Sequence, residues 1–158
     1  MIFNAGDIFT AAAINGALND IVDPGWVTYT PAWTATSGNP AIGNGTISGR
    51  YRRVASPVGD MVEAEVILTM GGSTTYGTGA WRISLPVTAH AAAVTMRTVG
   101  SATALDQGTS YRSAASYLVD STHMAMVTAV AAGEWSAAVP QTWVSTDQAT
   151  LRLRYQAA

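Results

Sequence analysis

From Trp26 to the C-terminus the apolar residues recur at every second position, and this period sets the limits on what the chain can fold into. The clearest case is Val62, Ala64, Val66, Leu68 and Met70, which alternate with Glu63, Glu65, Ile67 and Thr69. Successive side chains of a strand point to opposite faces, so this pattern puts one face in a core and leaves the other outside. The last run repeats it, with Leu151, Leu153 and Tyr155 against Thr150, Arg152 and Arg154. Thr, Val, Tyr and Trp are enriched, and Gly, Pro, Asn and Ser interrupt at intervals of about ten residues. The expected strands are Trp26 to Thr34, Thr46 to Val54, Val58 to Met70, Gly79 to Leu85, Thr95 to Leu105, Tyr111 to Val119, His123 to Val130 and Thr150 to Tyr155. About eight short strands favour an all-β, jelly-roll-like antiparallel β-sandwich. Pro86 and Pro140 belong between strands, because proline cannot donate to an interior ladder. The segment from Ala131 to Thr146 has no period and reads as a loop.

Residues 1–25 differ. Thr10 is a good N-cap, and Ala11 to Ile21 reads as a short helix with Ile14, Leu18 and Ile21 on one stripe. Such a helix, containing Gly16 and two Asn, is marginal alone in water and gains order by packing on something else. Asp23, Pro24 and Gly25 end it. The division is therefore an N-terminal attachment segment, 1–25, and a β domain, 26–158.

Composition narrows the functional classes. Apolar residues make up 48% of the chain and charged ones only 11%, against about a quarter in an ordinary soluble domain. Such a chain solvates itself with Thr, Ser, Asn and Gly, hides surface against partner subunits, or does both. The absence of Cys excludes disulfides, thiolate metal sites and a Cys nucleophile. No apolar run reaches the length of a membrane span, and Asn4, Gly6 and Asp7 break any signal-peptide pattern, so neither membrane insertion nor general secretory export is expected. A net charge of -2 with scattered Arg is not a nucleic-acid footprint.

Few side chains suggest chemistry. His90 and His123 lie far apart in the sequence and show no metal-ligand spacing, so no metal and no cofactor is expected. Glu63 and Glu65 share a strand face at a separation that glycoside cleavage could use, but no cleft residues accompany them. For the cluster of Arg50, Arg52, Arg53, Arg152 and Arg154 the preferred role is ion pairing with these carboxylates, across strands or between subunits, with simple solvation next and anion binding last. Gly43, Gly45 and Gly49 lead into a strand rather than a helix, which excludes a phosphate loop. No nucleophile has a base and an orienter, so enzyme activity is not expected. Tyr76, Trp135 and Trp143 fall in loops, where aromatics either fold back as lids or present themselves for surface recognition. Lid packing is the weightier reading, and these three are the candidate recognition residues.

Two stretches carry a family resemblance. Phe3 to Ala12, with Asn15 and Leu18, resembles the F-x-A-G-x-x-x-T-A-A-x-x-N opening of small tail-associated bacteriophage proteins, especially those of actinobacterial phages. WVTYTPAWT, NPAIGNGTISGRYRRV, GTGAWRISLPV, VPQTW and the terminal RYQAA resemble, in order, the β-sandwich domain of phage minor tail and tail-fibre proteins. The resemblance implies a homotrimeric virion protein, assembled in the host cytoplasm and anchored to phage tail or capsid proteins by its N-terminal segment. The attachment residues would be Phe3, Ile8, Phe9, Ile14, Leu18 and Ile21. The far end would contact a host cell-surface glycan; the alternative is a capsid decoration protein. In a trimer, Glu63, Glu65, Arg152 and Arg154 are the candidate intersubunit pairs.

Overall fold

The computed structural model describes residues 10–12, 14–16, 25–57, 59–97, 99–128 and 133–158. It is all-β: ten antiparallel strands form one sheet, curled into a half-barrel. The strands are β1 (Val27–Tyr29), β2 (Trp33–Ala35), β3 (Thr46–Val54), β4 (Met61–Thr69), β5 (Trp81–Ser84), β6 (Ser101–Asp106), β7 (Ser110–Leu118), β8 (His123–Thr128), β9 (Gly133–Glu134) and β10 (Gln148–Gln156). Their order is β1-β3-β4-β10-β6-β7-β8-β5-β2, with β9 beside β8.

The expected two-layer jelly roll is thus replaced by a continuous sheet, and β7 is the reason. Its first half, Ser110 to Ala114, pairs with β6, whereas Ala115 to Leu118 pairs with β8. One strand therefore passes from one limb of the sheet to the other, and the sheet bends where it changes partners. At that corner Ser116 is fully buried, and its hydroxyl donates to the Arg152 carbonyl at 2.6 Å. This satisfies an acceptor next to the point where the β6 ladder ends at Ser101.

The curl brings the two edges together. The expected first strand is split by Pro31 into β1 on one edge and β2 on the other, because proline cannot serve an interior ladder. The crossover is fastened where Ala32 N donates to Ser84 Oγ at 2.8 Å. Gly49 of β3 lies directly beneath it. A Cβ there would collide with the Tyr29 ring and press on Pro31, so the close approach requires glycine.

The even-numbered residues of β4 and the odd-numbered ones of β10 line the interior. Val62, Ala64, Leu68, Leu151, Leu153 and Tyr155 are all essentially inaccessible. From the other limb come Trp33, Trp81, Ile83, Leu118, Met124 and Met126. Two local expectations change. The start of the proposed Thr95 to Leu105 strand belongs instead to a five-residue helix, Ala91–Thr95, capped by His90, whose Nδ1 accepts from Ala92 N at 3.2 Å. The loop after β8 contributes β9. Near the N-terminus residues 11–12 and 14–16 are helical, with Ile14 N donating to Thr10 O at 3.1 Å. Phe3, Ile8, Phe9, Leu18 and Ile21 lie outside the described residues.

Candidate functional site

The curled sheet presents two unlike outer surfaces. On the β3-β4-β10 limb the antiparallel register aligns charged residues in two rows. Arg50, Glu65 and Arg152 stand side by side, and one row further along stand Arg52, Glu63 and Arg154. In the first row Glu65 is gripped from both sides. Arg50 reaches one carboxylate oxygen through Nε at 2.7 Å and Nη2 at 2.6 Å, and Arg152 Nε reaches the other at 3.1 Å. In the second row Arg52 takes Glu63 with a two-nitrogen grip at 2.7 and 2.8 Å. Arg154, the cross-strand neighbour on the other side of Glu63, makes no ion pair among the described residues. Trp26 lies over the edge of both rows, its ring centroid 4.4 Å from the Arg50 guanidinium carbon and 5.2 Å from that of Arg52. These cation–π contacts hold the two arginines against the sheet.

Beside the first row is a shallow groove of about 390 Å³, floored by Ile67 and edged by Thr28, Ser48 and Thr150. A second depression of about 310 Å³ lies on the far side of β10 and shares Thr150 and Arg152 with it, adding Ser101 and Thr103.

The β7-β8 limb is different. Val99, Ala115 and Val127 form an apolar hollow rimmed by Arg97 and Tyr117. Val99 is 63% exposed and nearby Met96 80%. At its rim the Tyr117 hydroxyl donates to Glu134, which also receives Arg82 at 3.0 and 3.1 Å. Burial alone would raise the Glu134 carboxyl, but the hydrogen bonds from Tyr117 and Arg82 outweigh it and hold it below the usual carboxylate range. Burial and the same bond push the Tyr117 phenol up. Arg97, at φ +48° in the left-handed region, sets its guanidinium over the Tyr117 ring at 5.9 Å.

Compared with models of known families, with curated proteins and with solved structures, the chain matches none.

Of the proposed recognition aromatics, Trp135 and Trp143 are core residues, 0% and 3% exposed. They pack as lids, the reading the sequence favours, and are not surface recognition residues. The loop carrying them folds into the mouth of the half-barrel: Trp135 N donates to Met126 O and its carbonyl accepts from Trp81 N, while Trp143 Nε1 donates to Ser136 O. Their rings close a cluster with Trp33 and Trp81 at centroid separations of 4.8 to 5.6 Å. The open end of a curled sheet needs large apolar side chains to fill it, and indoles close at hand in a loop serve that purpose. Tyr76 stacks on Trp81 at 6.4 Å and keeps part of its ring at the surface.

Glu63 and Glu65 find their arginine partners inside the chain. The described residues thereby supply the cross-strand form of the expected pairing. With both carboxylates engaged by guanidinium groups, the arrangement favours organising a surface over acid–base chemistry. His123 is held by Asp120, whose carboxylate also accepts from Thr122 N and His123 N. Among the described residues no three His, Asp or Glu side chains group as metal ligands. Sequence reasoning passed over Thr28, Ser48 and Thr150 at the groove and Trp26 over the arginines. The alternation of Ser48 with Arg50 and of Thr150 with Arg152 is visible, but their meeting depends on a register that only the fold supplies.

Proposed function

We propose that this chain is a structural protein of a bacteriophage virion, a homotrimer held to the particle by its N-terminal segment and placed on the tail, where its exposed surface meets the host. The observation carrying this reading is the apolar hollow of Val99, Ala115 and Val127 on the outer face of β7 and β8, open on a chain of 11% charged residues. Exposed apolar area of this kind is covered by association in a working molecule. The likeness of the opening segment and of the strand motifs to phage tail proteins supplies the setting. Three copies give avidity to weak individual contacts.

A second reading, capsid decoration, is favoured by one observation: burial of Trp135 and Trp143 removes two of the three aromatics a receptor contact would use. Imaging of the particle separates the two. Density with threefold symmetry at the tail supports the first, and at local threefold positions of the capsid the second. Deleting residues 1–22 should leave a folded trimer that no longer joins particles. A protein absent from purified virions, or one whose deletion variant still joins them, overturns the proposal.

A further inference from the structure

We propose that the outer face of β3, β4 and β10 binds an anionic saccharide, with Arg152 as its central contact. This deepens the host-surface reading above and rests on it. The two rows place four guanidiniums against two carboxylates, a local excess of positive charge on a chain whose net charge is -2. That excess complements an anion.

The arrangement is also pre-formed. Glu65 uses both oxygens to fix Arg50 and Arg152, so the two side chains do not lose rotamer freedom again on binding. Arg152 spends only Nε on Glu65 and keeps both terminal nitrogens at a side chain that is 70% exposed. Two terminal N–H donors in one plane match a carboxylate or a phosphate. Around this fork stand hydroxyls at the edges of a groove whose floor is the apolar Ile67. Thr28, Ser48 and Thr150 edge one depression, and Ser101 and Thr103 line the other. Short hydroxyl side chains both donate and accept, as sugar hydroxyls require. Because the two depressions share Arg152 and Thr150, the surface is longer than one sugar ring. It suits an oligomer whose anionic group sits at the ridge. Carboxylate-bearing uronic acid chains and phosphate-bearing polyol chains present the same chemistry.

The test is calorimetric titration of the full chain with three probes at low and at physiological salt: an oligogalacturonate, an oligomer of glycerol phosphate, and a neutral malto-oligosaccharide. The expected result is binding of one or both anionic oligomers, weaker binding of the corresponding monomer, and no binding of the neutral one. Which anionic probe binds identifies the source. Arg152→Gln should weaken binding about tenfold or more, since it removes the fork while leaving Glu65 paired with Arg50. Thr150→Val should weaken it less, and Arg97→Gln, on the opposite limb, not at all. Unchanged folding of each variant is checked by circular dichroism. No binding of either anionic oligomer, equal loss with Arg97→Gln, or undiminished binding by Arg152→Gln overturns the inference. None of these outcomes bears on whether the protein sits on the particle, which imaging decides separately.

Discussion

Asp147 shows how one side chain can organise a segment that has no period of its own. It is fully buried just before β10, and its carboxylate accepts from Gln107 N at 3.1 Å, Val144 N at 2.9 Å and Gln141 Nε2 at 3.1 Å. Three donors from two loops converge on it, which pins the loop that carries Trp143 into the mouth of the half-barrel. Asp147→Ala leaves the buried Gln141 amide without its acceptor, worth about 1–3 kcal/mol, and releases two part-buried backbone N–H groups. The expected loss is about 2 kcal/mol by urea denaturation; a loss under about 1 kcal/mol would contradict the role. Tyr155 gives a pH-dependent case. Its ring is buried and its hydroxyl donates to Val87 O at 2.7 Å. Burial pushes the phenol well above its ordinary value, and the same holds for Tyr29. In the unfolded chain a tyrosine loses its proton near pH 10, so above that the unfolded state holds fewer protons than the folded one. Stability from these tyrosines is complete below about pH 10 and falls as pH rises further. Tyr155→Phe should cost about 1 kcal/mol at neutral pH and make the alkaline decline shallower. A decline of unchanged slope, measured by denaturation at stepped pH from 9 to 11, would assign it to other groups.

At the scale of elements, what the sequence makes legible is whatever alternation determines. The strands β3, β4, β7, β8 and β10 stand within a few residues of their expected places, and β4 and β10 bury the faces their patterns dictate. Partner choice is not written in the period. Nothing in the residues of β7 announces that half of it serves one limb and half the other, so a continuous sheet and a two-layer sandwich read alike. The loop tryptophans were legible only as a weighting: lid packing is the heavier reading for an indole in an aperiodic segment, but where it packs is fixed by Asp147 and the gap left by the curl. The Arg–Glu rows were half legible, since residue type and face were clear but their cross-strand alignment was not. Being largely exposed, those pairs contribute little to stability, about 0–1 kcal/mol each. Closure of the edges contributes more. Gly49→Ala sets a methyl against the Tyr29 ring and Pro31 where β1 crosses to β2. An overpacked contact of this kind costs about 1–3 kcal/mol. Glu63→Gln on the neighbouring strand should cost less than Gly49→Ala, and the reverse order in paired denaturation curves would show that the crossover does not hold the edges.

For the whole molecule, the contrast between the two limbs has a consequence for assembly. One outer face is charged, hydroxyl-rich and fitted to water or a polar ligand. The other opens an apolar hollow of Val99, Ala115 and Val127 rimmed by Arg97 and Tyr117. If copies associate, burying the second face gains the free energy of apolar area removed from water, whereas burying the first would cost the desolvation of four guanidiniums. The β7-β8 face is therefore the one expected to be covered in an oligomer, leaving the arginine rows outward. Val127→Glu places a carboxylate in the centre of that face without touching the core, because Val127 points outward from β8. Sedimentation of the full chain should show the native protein as a trimer and the variant as a monomer with an unchanged β-sheet circular dichroism spectrum. Arg154→Glu on the other limb should leave the trimer intact. A variant that stays trimeric with Glu at position 127, or one that dissociates with Glu at 154, would move the contact to the charged limb and take the saccharide surface with it.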